Sequence, residues 1–189
     1  MKNEKLEEII KGCLRDERAS QKALFEKFYG KMMGVCLRYT RDKDRAQEVL
    51  QEGFIKVFDK LNDFDFSGSF EGWVRRIMVN ASIDAIRKKN RNPFLTDEDF
   101  ILEKNSLHPD DNHKDEDLIK LKAEHAIAAI QELSPAYRTV FNLYVIENFS
   151  HKEIAQILDI SEGTSKSNLA KAKKNLRAVL KEKFMKLDK

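Results

Sequence analysis

The amino-acid sequence predicts an all-α protein made of two small helical domains joined by a flexible acidic linker. Apolar residues recur at helical spacing through most of the 189 residues, and only seven glycines and three prolines interrupt them. Residues 93–117 lose this periodicity and hold two of the three prolines. The sequence therefore divides into a first domain over 1–92, a linker over 93–117 and a second domain over 118–189.

Helical periodicity places four helices in each domain. In the first domain they are expected over about 1–17, 20–39, 42–61 and 70–90; in the second, over about 118–132, 135–147, 150–158 and 161–186. The segment 64–69 (FDFSGS) interrupts the pattern because it holds Ser67, Gly68 and Ser69. The dipeptide Asn92-Pro93 ends the fourth helix, since a residue before proline disfavours the helical conformation. No strand and no internal repeat is evident.

The charge distribution indicates a polyanionic partner. Residues 1–95 hold 20 Lys/Arg against 15 Asp/Glu, and residues 118–189 hold 13 against 8. Residues 96–117 reverse the balance, with 2 against 9. The two basic blocks favour nucleic acid as a partner, a role that the acidic linker cannot share.

Several functional classes are disfavoured by what the sequence contains. No apolar run approaches the length of a membrane span, and the charged N-terminus is unlike a signal peptide, so we expect a cytoplasmic protein without membrane insertion. Cys13 and Cys36 are expected to be reduced core thiols rather than a disulfide. No nucleophile–base pair, phosphate-binding loop or helical pair of metal ligands is apparent, and His108 and His113 fit a solvated linker better than a metal site. The sequence therefore predicts no enzyme activity, no cofactor and no metal.

The pattern over 150–177 predicts a helix-turn-helix. Ser150 and Glu153 form a capping box, S-x-x-E, at a helix start, and Ser161 is the expected N-cap of the last helix. Ser165, Leu169 and Ala172 fall on one stripe of that helix, which we expect to face inward. The opposite and flanking faces are polar and basic, a pattern typical of a helix in the major groove, although a solvated amphipathic helix would look similar. The candidate DNA-contacting residues are Ser161, Gly163, Thr164, Lys166, Ser167, Lys171, Lys174 and Arg177.

The segment 66–91 combines two apolar stripes with a polar stripe between them. The polar stripe has helical spacing and consists of Arg76, Asn80, Asp84, Arg87 and Arg91. Asparagine and aspartate bond base edges and arginine binds phosphate, so this stripe and the adjacent loop predict a pocket for an unstacked base. Core packing of Trp73, and capping or solvation by Asn80 and Asp84, are the structural alternatives.

Three segments resemble one protein family. ELSPAYRTVFNLYVIENFSHKEIAQILDISEGTSKSNLAKAKKNL (132–176) is similar to the C-terminal domain of bacterial sigma factors. Residues 66–91 meet the fixed positions of the sigma pattern F-x-G-x-F-x-x-W-x-x-R-I-x-x-N-x-x-x-D-x-x-R. DRAQEVLQEGFIKVF (44–58) resembles the sigma helix that docks on the coiled coil of the polymerase β′ subunit. The order of the segments, without a third domain between them, is typical of the extracytoplasmic-function group.

This resemblance implies a promoter-recognition subunit of RNA polymerase. It implies a sigma region 2-like first domain that binds core polymerase and the −10 element, and a region 4-like second domain that binds the −35 element and the β flap. An anti-sigma factor is a further implied partner. The implied core-binding residues are Gln47, Glu48, Gln51, Glu52, Phe54 and Phe58, of which the two phenylalanines are expected to be exposed. The implied −10 residues are Phe66, Ser67, Gly68, Ser69, Trp73, Arg76, Asn80, Asp84, Arg87, Lys88 and Arg91.

Four positions depart from the family pattern. Gln47 and Glu48 replace an acid and an aspartate, Ser165 replaces an inward apolar residue, and Asn168 stands where arginine is common. The family's base preference at the −35 element therefore does not transfer to this chain. A stand-alone helix-turn-helix regulator with an N-terminal sensor is the alternative interpretation, but it leaves 66–91 unexplained.

Overall fold

A computed structural model of the protein describes residues 2–89, 93–94 and 124–187. The chain divides into two compact units, Met1–Ala85 and Ile86–Lys189. Within the described ranges all regular structure is helical, which confirms the all-α prediction. Among those residues, no helix combines the length and apolar character needed to cross a membrane.

The first part of the chain forms four α-helices close to the predicted bounds. They are α1 (Lys2–Leu14), α2 (Arg18–Tyr39), α3 (Lys43–Asp59) and α4 (Phe70–Lys89), with a short 3-10 turn at Leu61–Asp63. The side chain of Asp42 caps α3 by accepting a hydrogen bond from the backbone N–H of Arg45 at 2.7 Å. Local capping therefore fixes the start of α3, and the predicted break at 64–69 precedes the start of α4.

The core of the first unit is assembled from one face of each helix. Its fully buried side chains include Leu24 and Met32 of α2, Val49 and Leu50 of α3, and Met78 of α4. Helices α3 and α4 approach closely at Gly53, where an added Cβ would lie 2.3 Å from the sulfur of Met78. A larger residue at this position would force the two helices or the methionine to move.

The two cysteines belong to this core, as the sequence predicts. Cys13 and Cys36 are buried free thiols. Burial raises the pKa of Cys36 to about 11 and also raises the pKa of Cys13. Both side chains therefore behave as small apolar groups rather than as nucleophiles.

The second unit contains the remaining helices. The structure describes α5 over 124–131, followed by α6 (Pro135–Phe141), a π-helical turn (Asn142–Ile146), α7 (His151–Leu158) and α8 (Glu162–Leu187). Ser134 caps α6 and Pro135 occupies its first turn, where a missing N–H costs nothing. Leu133, Ala136 and Tyr137 pack with Ala172 of α8 in a buried cluster. Of the predicted linker, only the turn at 93–94 is described; the remainder of the linker, with His108 and His113, and Arg91 before it, lie outside the described residues.

Candidate nucleic-acid interface

The predicted helix-turn-helix is present in the second unit. At the start of α7, the backbone N–H of Glu153 donates to Ser150 Oγ at 3.3 Å, and the backbone N–H of Ser150 donates to Glu153 Oε2 at 2.8 Å. Hydrogen bonds from Ser150 hold the pKa of Glu153 below its usual value. Helix α7 ends at Leu158, and its C-cap residue Asp159 has a φ of 54°, in the left-handed region. Ser161 then caps α8 by accepting from the backbone N–H of Thr164 at 2.9 Å.

The inward stripe of α8 matches its prediction. Ser165, Leu169 and Ala172 are buried, and Asn168 is buried as well. The two positions of α8 that depart from the family pattern, Ser165 and Asn168, therefore lie on the side of the helix that faces the domain. Ser165 is 0% exposed, and its hydroxyl lies 2.8 Å from Nδ1 of His151 on α7. A polar residue is tolerated at this apolar position because its hydroxyl has a partner.

The exposed face of α8 is basic, and two members of the predicted set are only partly exposed. The exposed members of the predicted set are Ser161, Gly163, Lys166, Ser167, Lys174 and Arg177. Thr164 is half-buried. Lys171 is also half-buried, because its ammonium lies over the Tyr137 ring of α6, 5.9 Å from the ring centroid. The groove-facing surface therefore centres on Ser167 and Lys174, with Lys171 at its edge.

Helix α3 presents a polar outer face that includes one apolar side chain. Glu48 and Gln51 are exposed, and Gln47 and Glu52 are half-buried. The predicted exposure of Phe54 is wrong: this ring is 3% exposed because it packs on Phe25, with ring centroids 4.7 Å apart. Phe58 is half-buried, and its ring centroid lies 6.2 Å from that of Phe54.

Ile55 is the exposed apolar residue of this face, at 61%. It was missed by the sequence analysis, although it lies four residues after Gln51 and seven after Glu48, the spacing of one helical face.

Helix α4 carries the predicted polar stripe on its surface. Arg76, Asn80, Arg87 and Lys88 are exposed. Asp84 is half-buried and bonded within the first unit, because Nζ of Lys56 on α3 donates to its Oδ2 at 2.9 Å. This ion pair joins α3 to α4 and was not apparent from the sequence.

The loop at 64–69 exposes one aromatic ring next to a cluster of packed aromatic side chains. Phe64 is buried, with its ring centroid 5.0 Å from that of Phe70 and 5.5 Å from that of Trp73. Trp73 is half-buried in this cluster, so the structural alternative of core packing holds for part of its ring. Phe66, in contrast, is 46% exposed and has a φ of 61°, in the left-handed region that disfavours bulky residues.

Hydrogen bonds stabilise this loop on both sides of its tip. The carboxylate of Asp65 accepts from the backbone N–H of Ser67 at 2.9 Å and from its hydroxyl at 2.7 Å. These two bonds hold the pKa of Asp65 below its usual value. Ser69 Oγ accepts from the backbone N–H of Gly72 at 3.3 Å, at the start of α4. Ser67, Gly68 and Ser69 are all exposed, and they directly precede α4, the helix that carries the polar stripe.

The second unit contains a helix-turn-helix with a basic exposed face. The first unit exposes an aromatic loop directly before a helix that carries arginine and asparagine on its surface. Together these features define a helical DNA-binding protein of transcription. Comparison with known families gives the class its name. The family model "Sigma-70 region 2" matches residues 24–92, and the model "Sigma-70, region 4" matches residues 125–176, together more than half of the chain. The chain belongs to the sigma-70 family, in its extracytoplasmic-function (ECF) group.

Individual relatives agree with this assignment. The ECF RNA polymerase sigma factor SigW of Bacillus subtilis is 29% identical over 157 residues, which cover 80% of this chain and 84% of the relative. The RNA polymerase sigma-H factor of Pseudomonas aeruginosa is 26% identical over 185 residues, covering 93% and 96%.

A solved structure also shares the fold. The sigma factor RpoE of Bartonella quintana, solved in complex with the anti-sigma factor NepR, aligns with a TM-score of 0.53 and 23% identity over 85% of this chain and 96% of that chain. The protein is a sigma factor: it directs promoter-specific initiation of transcription by RNA polymerase and is not an enzyme.

Proposed function

We propose that the two predicted domains, 1–92 and 118–189, divide promoter recognition between them. The first binds core polymerase through α3 and reads the −10 element through the 64–69 loop and α4. The second binds the −35 duplex through α8. The exposed polar stripe of α4 carries this proposal, because the loop that directly precedes this helix leaves an aromatic ring exposed to solvent.

For the −10 element, the loop supplies stacking and the helix supplies polar contacts. A left-handed backbone costs a bulky residue such as Phe66 roughly 1–2 kcal/mol. The fold maintains this conformation while leaving the ring 46% exposed, which fits a ring that stacks on an unpaired base. Asn80 then bonds a base edge, while Arg76, Arg87 and Lys88 bind phosphates. Trp73 stabilises the loop by packing its ring against that of Phe64.

For the −35 element, the exposed face of α8 enters the major groove. Ser167 is the exposed polar side chain nearest the centre of this face, and it contacts base edges. Lys166, Lys174 and Arg177 bind phosphates on either side of it. Ser165 and Asn168 influence base preference only through the position of the helix, because both side chains are buried.

For core polymerase, the outer face of α3 provides acidic and polar groups around one apolar contact. Glu48, Gln51 and Glu52 pair with basic residues of the β′ coiled coil, and Ile55 is covered on binding. Phe54 and Phe58 contribute by holding α3 against the core rather than by direct contact. The second domain contacts the β flap.

An anti-sigma factor is the proposed regulator, and the cytoplasm the proposed location. The structurally similar RpoE was solved with its anti-sigma factor NepR. The exposed Ile55 offers such a protein the same apolar contact that core polymerase would otherwise cover. The partner is tested by pull-down from the native host under non-inducing conditions. Recovery of the chain with core polymerase alone would count against it.

The central test is reconstitution. The chain is mixed with core polymerase, and transcripts are mapped on native genomic DNA. We expect transcription from a defined set of promoters only when both are present, and we expect weak DNA binding by the chain alone because its positive charge is small. Tight sequence-specific binding by the chain without polymerase would instead favour the stand-alone regulator.

Two lysine substitutions, one on α8 and one on α2, test the groove-facing surface. Lys174→Ala should weaken binding to every duplex and reduce the slope of log affinity against log salt by about 0.9, the value for one phosphate contact. Lys22→Ala, an exposed lysine of α2, is the matched control and should leave the slope unchanged. Equal slopes for the two variants would show that this face of α8 does not meet the backbone.

A further inference from the structure

The side chain of His151 links α7 to the elements on either side of it. It is the first residue of α7 and is half-buried. Its Nδ1 lies 2.8 Å from the hydroxyl of Ser165 on α8, and its ring stacks on Tyr144 of the π-helical turn, with centroids 4.5 Å apart and planes inclined by 25°. The imidazole thus joins three successive elements of the helix-turn-helix.

These contacts are compatible with both charge states of the ring. Neutral imidazole can accept from the Ser165 hydroxyl or donate to it, depending on its tautomer. Imidazolium donates from Nδ1 to the Ser165 oxygen, and the hydroxyl hydrogen of a helical serine can then turn to the carbonyl one turn earlier, that of Ser161. Stacking on the Tyr144 phenol also suits a cation. Protonation therefore adds a charge without breaking the contacts that orient the ring.

The surroundings of His151 are basic and solvent-facing. From α8, Lys166 and Lys173 act on the ring and Glu162 opposes them; from the π-helical turn it meets the phenol of Tyr144, and Lys152 and Glu153 follow on its own helix. Lys166 and Lys173 are exposed, and Nζ of Lys173 lies over the Tyr144 ring, 5.9 Å from its centroid.

The pKa of His151 has a direction that follows from this environment. Burial, and then the charges of Lys166 and Lys173 against that of Glu162, hold its pKa below the usual value in the free chain. A phosphate placed against the two lysines would offset their charge and reverse the electrostatic part of this effect.

We propose that His151 is a further DNA-binding residue of the second domain: it positions α8 through Ser165 and, as imidazolium, becomes a third cation beside Lys166 and Lys173 on the DNA backbone. The inference rests on the proposed −35 role of this domain. Because the cation forms on the complex in preference to the free chain, binding takes up a proton at His151. Affinity for duplex DNA then rises as pH falls from 8 to 6, and this rise depends on His151.

The test uses the full chain and a labelled duplex of random sequence, because a phosphate contact does not depend on sequence. Fluorescence anisotropy gives the affinity at pH 6 and pH 8, each over a series of salt concentrations starting at about 50 mM, where non-specific binding is strong. His151→Gln keeps hydrogen-bonding capacity without titrating. His125→Gln removes another histidine of the same unit and is the matched control; circular dichroism verifies that all three chains remain helical at both pH values.

The wild-type chain and His125→Gln should bind more tightly at pH 6 than His151→Gln, with a salt slope steeper by up to about 0.9. At pH 8 the slopes of all three should coincide. A merely structural role for His151 would weaken the variant equally at both pH values and leave its slope parallel to the wild type, which overturns the inference while leaving the −35 role intact. Absence of binding by the wild-type chain at every pH would overturn duplex binding by the free chain, and the inference with it, whereas the reconstitution with core polymerase tests the −35 role independently.

Discussion

Replacement of Ile55 by alanine tests whether α3 binds core polymerase through the side chain that the structure exposes. Complete burial of an isoleucine side chain stabilises a complex or a fold by about 1.5–3 kcal/mol. Because Ile55 is 61% exposed in the free chain, most of that area is still available to a partner. Covering it is therefore worth about 1–2 kcal/mol, and its loss corresponds to roughly 5- to 30-fold weaker binding.

The assay is a titration of labelled chain with core polymerase, followed by fluorescence anisotropy, together with thermal unfolding of each variant. Ile55→Ala should reduce affinity and leave the melting temperature nearly unchanged, since substitutions on an exposed surface shift stability by less than about 0.5 kcal/mol. Leu14→Ala, at a 38% exposed residue of α1, is the matched control and should bind like the wild type. Phe54→Ala should instead lower stability, by about 3–5 kcal/mol, because its ring is in the core.

Either of two results would show that Ile55 is not the contact with core polymerase. Wild-type affinity in Ile55→Ala would mean that core polymerase does not cover this residue. An affinity loss in Phe54→Ala without a loss of stability would mean that the phenylalanine is the contact, as the sequence pattern had indicated.

Three further outcomes are expected. Gly53→Ala should destabilise the chain in urea unfolding, because overpacking against Met78 costs about 1–3 kcal/mol and exceeds the helix-propensity gain of about 1 kcal/mol. Gly30→Ala is the control: beyond its chain neighbours and its own helix backbone, no atom of the described residues lies within 4 Å of the added Cβ, so this variant should be stabilised by about 1 kcal/mol. Stabilisation by both substitutions would contradict the close approach of α3 and α4. Asn80→Ala should retain core binding but open duplex promoters poorly. A template premelted at the −10 element should partly rescue the variant, because the cost of unpairing is then already met. Normal opening of duplex promoters would remove Asn80 from the mechanism. Acidification should destabilise the free chain through His151, because folding lowers the pKa of this side chain. Its contribution to the free energy of unfolding is fully present above the unfolded pKa near 6.5 and is lost as the pH falls through the folded pKa. His151→Gln should therefore flatten the pH dependence of the melting temperature.

Local sequence signals predicted the helices and their ends with small error. The capping residues and the breaks involve residues within four positions of one another, and the expected hydrogen bonds are present at Ser150, Glu153 and Ser161. The inward stripe of α8 was likewise predictable, since periodicity alone identifies the apolar side of a helix.

Contacts between helices were not predictable in the same way. The ion pair between Lys56 and Asp84 joins residues 28 positions apart, and the approach of Gly53 to Met78 depends on how α3 and α4 pack. Lys171 points to the edge of its predicted face because Tyr137 of another helix attracts its ammonium. None of these neighbours can be derived from a single helix.

The sequence by itself determined the helical class, the positions of the helix-turn-helix and of the loop, and the family, because these depend on spacing along the chain. Only the tertiary structure decided which side chains remain available to partners. A helical wheel gives the angle of a residue around its axis but not which arc a neighbouring helix covers. Phe25 covers Phe54 and leaves Ile55 in solvent, and His151 gives the buried Ser165 its partner, so the surface that polymerase and DNA meet is set by packing between helices.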